Sequence, residues 1–284
     1  MRLKNALISL VLLICPCALC YGQLSFSGVN GERGYSAMRG FYRADLDNGV
    51  VLTPYYEYYR QTDKEYDESG SISRYKLAGS YEVNDDWLIT ASAFWQPTAV
   101  GYRAVGYAAG AEWKPFYRWG MFKNPVLAVS VGQERYKVYV DRLGNAVPGS
   151  FHQIATSAAA EARAELSAWD LKASWHKVIQ YKNKDFPPNV TFGWADLPYM
   201  TAVIQGFIKD AAAVRVSYRT SFITPYAVLG RYHYADRGGT ALAVSAGMRV
   251  SWGRTSLSGG VEVFEPRREA SRKTYFSMSA EVDF

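Results

Sequence analysis

The sequence predicts an all-β fold: a single antiparallel transmembrane β-barrel of about twelve strands, with fourteen as the alternative. Three observations predict it. Segment after segment alternates apolar and polar residues with period two, short and long connections alternate between those segments, and the last segment is an alternating strand ending on Phe284.

The first twenty-two residues stand apart. Met1–Asn5 carries Arg2 and Lys4, Ala6–Ile14 is almost wholly apolar, and small or turn-prone residues follow to Gly22. Positive, then apolar, then cleavable is the layout of a secretory signal peptide. The apolar run is about half of the ~20 residues that a membrane-spanning helix needs. Cleavage is expected after Cys20 or Gly22, making 1–22 a leader, 23–49 an N-terminal segment or first strand pair, and 50–284 the barrel. Cys15, Cys17 and Cys20 all fall within the leader, so the exported chain has no disulfide scaffold. A lipid on Cys20 is disfavoured by Leu19, where a small residue normally precedes the modified cysteine. The formal net charge of +6 falls by two with the leader. That excess is mild, and no basic run is interleaved with aromatics, so nothing argues for nucleic acid as a partner.

Beyond residue 22 no segment is apolar for long enough to be a membrane helix. Alternation at 180° per residue instead means strands with one apolar face. Phe276, Met278, Ala280, Val282 and Phe284 alternate with Ser277, Ser279, Glu281 and Asp283. Leu242–Trp252, Leu257–Phe264, Val214–Arg219, Arg74–Val83, Val105–Trp113 and Trp169–His176 repeat the pattern. Thr156–Leu166 is rich in helix-forming Ala, Glu and Arg, yet Ala160, Ala162, Ala164 and Leu166 alternate with Glu161, Arg163 and Glu165, which predicts strand. Val126–Val140 loses phase near Gln133, which predicts a bulge there.

The connections sort into two sets. Asn84–Asp86, Lys123–Pro125, Thr220–Ser221 and Gly253–Ser256 are short, whereas Gln61–Ser71, Arg142–His152, Lys182–Lys209 and Glu265–Lys273 are long. Short turns at one end and long loops at the other suit a barrel with one end in the periplasm. Met200–Ile208 within the longest loop reads as a short helix or apolar lid, or as two irregular strand ends. Counting back from Phe284 gives about twelve strands beginning near Val50. Asn48-Gly49 is a hairpin signature that pairs Gly40–Ala44 with Val51–Tyr59 and raises the count to fourteen.

Aromatics fall near the ends of the apolar faces. Trp87 and Trp95 share a face, eight residues apart, which at ~3.3 Å per residue and ~40° tilt separates them by roughly 20 Å along the membrane normal, close to the apolar band of such barrels. Trp113, Trp169, Trp175 and Tyr232 are assigned to the same aromatic girdles.

The closing segment resembles the last strand of bacterial outer-membrane β-barrel proteins, in which a terminal aromatic follows alternate apolar residues. Phe276, Met278, Val282 and Phe284 carry the resemblance, over about ten residues. It implies recognition by the barrel-assembly machinery, and with the leader it implies export to the outer membrane of a diderm bacterium, with outer-membrane lipid as a partner.

In a barrel, the polar faces line the lumen. Basic candidates are Lys172, His176, Arg215, Arg219, Arg231, His233 and Arg249; acidic candidates are Glu112, Glu161, Glu165, Glu262, Glu281 and Asp283. Balanced signs suit either a hydrated narrow pore or a lumen plugged by ion pairs. Arg215, Arg219, Arg231 and Arg249, with His233, form a candidate basic wall for an anionic solute. No GxSxG, HExxH, phosphate-loop or dinucleotide motif occurs, so no catalytic residue, metal or cofactor is assigned. The expected function is a small porin-like channel for small polar or anionic solutes. The alternatives are a plugged barrel serving as adhesin or structural protein, or an outer-membrane lipid- or peptide-hydrolysing enzyme.

Replacing Phe284 with Glu is expected to lower the outer-membrane level severalfold more than the same change at Ser277, read by immunoblot of fractionated membranes. Equal levels would remove the terminal strand as an assembly signal.

Overall fold

The computed structural model describes residues 22–32, 34–46, 48–63, 68–99, 102–115, 118–140, 146–183, 193–194, 204–205, 207–235, 239–265 and 272–284. The leader, apart from Gly22, lies outside them, as do residues 200–203 and 206 of the expected lid.

The strands are β1 (Gly22–Gly31), β2 (Ser36–Leu46), β3 (Val50–Asp63), β4 (Glu68–Asn84), β5 (Trp87–Ala99), β6 (Tyr102–Trp113), β7 (Phe122–Val140), β8 (Ala146–Leu166), β9 (Trp169–Tyr181), β10 (Ile208–Tyr218), β11 (Ile223–Tyr234), β12 (Thr240–Trp252), β13 (Thr255–Glu265) and β14 (Lys273–Asp283). Each pairs antiparallel with its neighbours in sequence, and β14 returns to β1 in register from Gln23↔Asp283 to Gly31↔Tyr275. The barrel thus has fourteen strands, the alternative count rather than twelve. Leu24–Asp45 supplies the additional pair, and the Asn48-Gly49 signature is the reason: both residues take positive φ, 78° and 72°, as the two-residue hairpin turn requires. Thr156–Leu166 is strand, because the register β7–β8–β9 places Ala158, Ala160, Ala162 and Ala164 on one face; pairing outweighs helix propensity.

Both described chain ends lie at one end of the barrel, the turn end, where five of the six connections are two to four residues and the sixth, 114–121, is eight. The other end, the loop end, carries the longest connection, 182–207, but also connections as short as 100–101, because β3, β4 and β8 extend into the expected long loops Gln61–Ser71 and Arg142–His152. One expected turn is displaced. Chain reversal occurs at Gly120-Met121, where Gly120 has φ 62° and Arg118–Trp119 pairs with Phe122–Lys123. Lys123–Pro125 is instead a bulge inside β7, with Asn124 at φ 46°.

The expected bulge near Gln133 is absent: β7 runs in unbroken register with β6 from Leu127 to Val138. Its loss of phase has another cause. Val129 and Val131 are exposed on the outer face, and Gln133 and Arg135 continue that face. The inner face meanwhile passes from Ala128, Ser130 and Gly132 to buried Tyr136 and Val138. Below this level the outside is apolar and the inside polar; above it the two exchange. A strand that outlasts the hydrocarbon band must exchange them, because its outer face meets water and its inner face meets packed chain. The same exchange occurs on β11, where exposed Leu229 is followed on the outer face by Arg231, while inward Tyr232 and Tyr234 are buried.

The outer face carries two rows of aromatic contacts. Trp87 stacks on Trp113 at 5.9 Å and Trp169 meets Tyr218 at 4.8 Å near the turn end, while Tyr75 stacks on Trp95 at 5.6 Å farther up. Trp175 is also outward and exposed. Tyr232 is not a girdle residue: it points into the barrel and is 1 % exposed.

Leu229→Arg is expected to destabilise the barrel in lipid vesicles by about 1–2 kcal/mol, less than a cation costs at the midplane because Leu229 lies near the edge of the band. Arg231→Leu, one face-position higher, is expected to change stability by less than about 1 kcal/mol, since outside the band it meets water. Urea unfolding of both variants measures the difference, and equal costs would misplace the edge of the band.

Candidate functional site

The inward positions build a lumen with three zones. At the turn end lies a cavity of about 1460 Å³ lined by charged residues, including Arg43, Glu112, Arg163, Asp170, Arg215 and Arg249. A second space of about 430 Å³, lined by Lys76, Phe94, Glu134, Ser157 and His176, adjoins it farther in. The two share Val51, Thr53, Tyr55 and Ser80 in their walls. Toward the loop end the interior is filled by a buried cluster that includes Tyr35, Tyr136, Phe207, Ile208, Tyr232 and Tyr275.

The vestibule wall is organised by cross-strand ion pairs. Because opposite residues of an antiparallel pair share a face, the inward cations and anions of successive strands share the lumen wall. Lys172 lies 2.8 Å from Glu161 on the adjacent strand, whereas Arg163 reaches Glu112 at 2.6 Å and Arg249 reaches Glu281 at 2.7 Å, each across one intervening strand. Arg219, in the turn after β10, bridges Glu165 at 2.6 Å and Asp170 at 3.1 Å. Its hydrogen bond to Glu165 holds the guanidinium pKa above the ordinary value. Asp283 accepts a hydrogen bond from Gln23 Nε2 across the closing seam, 2.9 Å.

Between the vestibule and the aromatic cluster runs a polar row in which Glu57 and Arg74 are buried and Arg39 is half-buried. Arg39 lies 3.4 Å from Glu57, and the Arg74 guanidinium sits 4.1 Å over the Phe94 ring. The register places Arg39 opposite Glu57 and Glu57 opposite Arg74. Neither Arg39 nor Glu57 is among the residues expected from the sequence. Counting strands from Val50 leaves β2, and Arg39 with it, unassigned, although Arg39, Phe41 and Arg43 already alternate with Met38, Gly40 and Tyr42. Glu57 lies on β3 between tyrosines on both faces, where alternation does not separate inside from outside.

Above the row, the aromatic cluster is tied to the start of the longest loop. Gln153 is fully buried; its Nε2 donates to Asn183 O at 2.7 Å, and its Oε1 accepts from Asn183 N at 2.9 Å. Tyr181 donates its hydroxyl to Ile208 O. Phe207, the residue before β10, packs edge-on against Tyr181 at 5.7 Å and Phe151 at 6.5 Å. Of the expected lid, then, Phe207 and Ile208 are inside the barrel mouth, and Ile204–Gln205 pairs with Gly193–Trp194.

Several assignments change. Arg231 and His233 face outward, in register with Ala212 and Asp210, and His233 Nδ1 lies 3.2 Å from Asp210. The expected basic wall therefore loses both. Its error has the same origin as that of Tyr232: the apolar and polar faces exchange above Leu229, so polarity no longer reports the lumen. Glu262 is inward but 1 % exposed, opposite Tyr275 in the register, and so belongs to packed interior rather than to an open wall. His176 faces the inner space, and His152 faces outward opposite Lys137. His176 is thus inside the barrel while His152 and His233 are outside it, and among the described residues no group of three His, Cys, Asp or Glu is arranged to hold a metal. Of the C-terminal residues, Phe276, Met278 and Phe284 are exposed on the outer face, with Val282 between them in the alternation. Phe284 N donates to Gly22 O at 2.8 Å.

No family model matches the sequence, and no curated protein matches it. Solved structures do match the fold. The chain is similar to the CymD monoaromatic hydrocarbon channel, with TM-score 0.56 at 10% identity over 96% of this chain and 92% of that one. It is similar to a bacterial polysaccharide outer membrane secretin, with TM-score 0.54 at 15% identity over 93% and 98%. CdiB from Acinetobacter baumannii gives TM-score 0.53 at 9% identity over 93% of this chain, which spans 60% of that protein. The chain has the closed antiparallel β-barrel fold of outer-membrane proteins.

Proposed function

We propose that the protein is a channel for small polar solutes in the outer membrane of a diderm bacterium, with its turn end in the periplasm. The observation that carries this reading is the polar space inside the barrel. A vestibule of about 1460 Å³ opens at the turn end and shares its wall with an inner space of about 430 Å³, so the turn-end part of the lumen is open space rather than packed side chain. The structural neighbours that are named as channels support the class, and outer-membrane lipid and the assembly machinery are its partners in this reading. The resting route ends at the aromatic cluster around Phe207 and Tyr232. Passage then requires that cluster to part, which makes it the gate. The paired vestibule charges suit weak ion preference, because opposed charges cancel within a Debye length of about 8 Å at physiological salt.

The packed cluster also supports a second reading, a permanently closed barrel with a structural or adhesive role. One recording separates the two. In planar bilayers the wild-type barrel is expected to give small, infrequent steps. Phe207→Ala combined with Tyr232→Ala should make steps severalfold more frequent, because it opens space within the packed cluster. If both proteins remain silent while still shifting on unboiled gels as folded barrels, the channel reading fails and the closed barrel stands.

A further inference from the structure

We propose that Arg215 is a recognition point for small carboxylate-bearing solutes in the vestibule. The inference rests on the vestibule being the entrance to the proposed route, and it singles out one side chain from its wall.

Arg43, Arg163, Lys172, Arg219 and Arg249 each lie within 2.9 Å of a carboxylate oxygen. Arg215 does not. Among the described residues no carboxylate comes within 4.0 Å of it, and the two that bear on it electrostatically, Asp170 and Glu281, are engaged by Arg219 and Arg249. Lys114 is the other vestibule cation without an ion pair among the described residues; it lies in the turn at the mouth rather than on a strand. Arg215 lies three residues from the turn end of β10, which is about 8 Å into the barrel at ~3.3 Å per residue and ~40° tilt.

An uncompensated guanidinium inside a barrel is costly unless an anion visits it or water reaches it, and the vestibule supplies the access. The group is also held in place. Its carbon sits 4.4 Å over the Tyr226 ring, and Nε donates to Ser217 Oγ at 3.3 Å. The ring fixes the plane and the serine takes the Nε edge, so the two terminal Nη groups remain to present parallel donors. That fork matches the two oxygens of a carboxylate. Flanking Lys172 and Arg249 are already neutralised, so the local field is that of one cation rather than of the four-residue wall expected from sequence. This favours binding weak enough for release, as a conducting route requires.

The test reads binding without passage. The detergent-folded barrel is titrated with malonate by calorimetry, with the unboiled gel shift as the check of folding. Wild type is expected to bind in the millimolar range, Arg215→Gln at least about tenfold more weakly, since one charge-assisted pair is lost, and Arg231→Gln like wild type because it lies outside the barrel. Arg215→Lys, which keeps the charge and loses the fork, is expected to fall between them. If Arg215→Gln is folded and binds malonate as wild type does, the inference is overturned. If Arg215→Gln does not fold, Arg215→Lys decides: unchanged affinity would show that the fork plays no part. A silent planar bilayer with intact malonate binding would sink the channel reading and leave this one standing.

Discussion

A hydrocarbon slab offers the backbone no hydrogen-bond partner. Every peptide group within it must therefore be satisfied by the chain itself, and this requirement governs the rest of the structure. It explains why the ladder closes, with β14 on β1 in nine consecutive register pairs, and why the strands are joined neighbour to neighbour. It also explains why two segments with little resemblance to ideal strands, the alanine-rich end of β8 and the glycine-containing β1, are strands at all. An unpaired edge in lipid costs several kcal/mol per exposed group, which exceeds the few tenths of a kcal/mol by which alanine prefers a helix over most residues.

The same slab has a fixed thickness, and that determined what could be read from residues alone. Inside the band the outer face must be apolar, so period-two alternation reported the face correctly for Trp87, Trp95, Trp113, Trp169 and Trp175, and for the terminal strand. Above the band the rule reverses without any change of period. Tyr232, Arg231 and His233 were misassigned for this single reason, and the apparent defect at Gln133 is the same crossing seen on another strand. A level where the outer face turns from Leu229 to Arg231 while its inner partner turns to tyrosine is visible in sequence once it is sought. The number of strands was legible from Asn48-Gly49, whose positive φ angles need that residue pair. The pairing of the lumen charges was not. It depends on the stagger of one strand against the next, which side-chain patterning along a single strand does not encode.

The lumen divides its stabilisation between two kinds of contact. Near the turn end, charged side chains bridge strands one or two apart along the wall and leave space between opposite walls. Near the loop end, aromatic rings span that space and remove it. The row of half-buried Arg39 with buried Glu57 and Arg74 marks the boundary, where a charge increasingly needs partners on both sides as water is excluded. Glu57 Oε2 and Gln96 Nε2 are buried there without a hydrogen-bond partner among the described residues, a cost of roughly 1–3 kcal/mol each.

The seam between β1 and β14 has a kinetic consequence. Gln23 and Asp283, which meet across it, are 260 residues apart in the chain. All the other strand neighbours are sequence neighbours, so their hairpins can form locally and early. The seam cannot, because it waits for the last strand to exist and then carries the loop-closure entropy of the whole chain. Until it zips, the sheet is an open ribbon with two unsatisfied edges that attract other ribbons. The rate at which the seam closes, rather than the stability of any strand pair, therefore sets how long the protein is prone to aggregate.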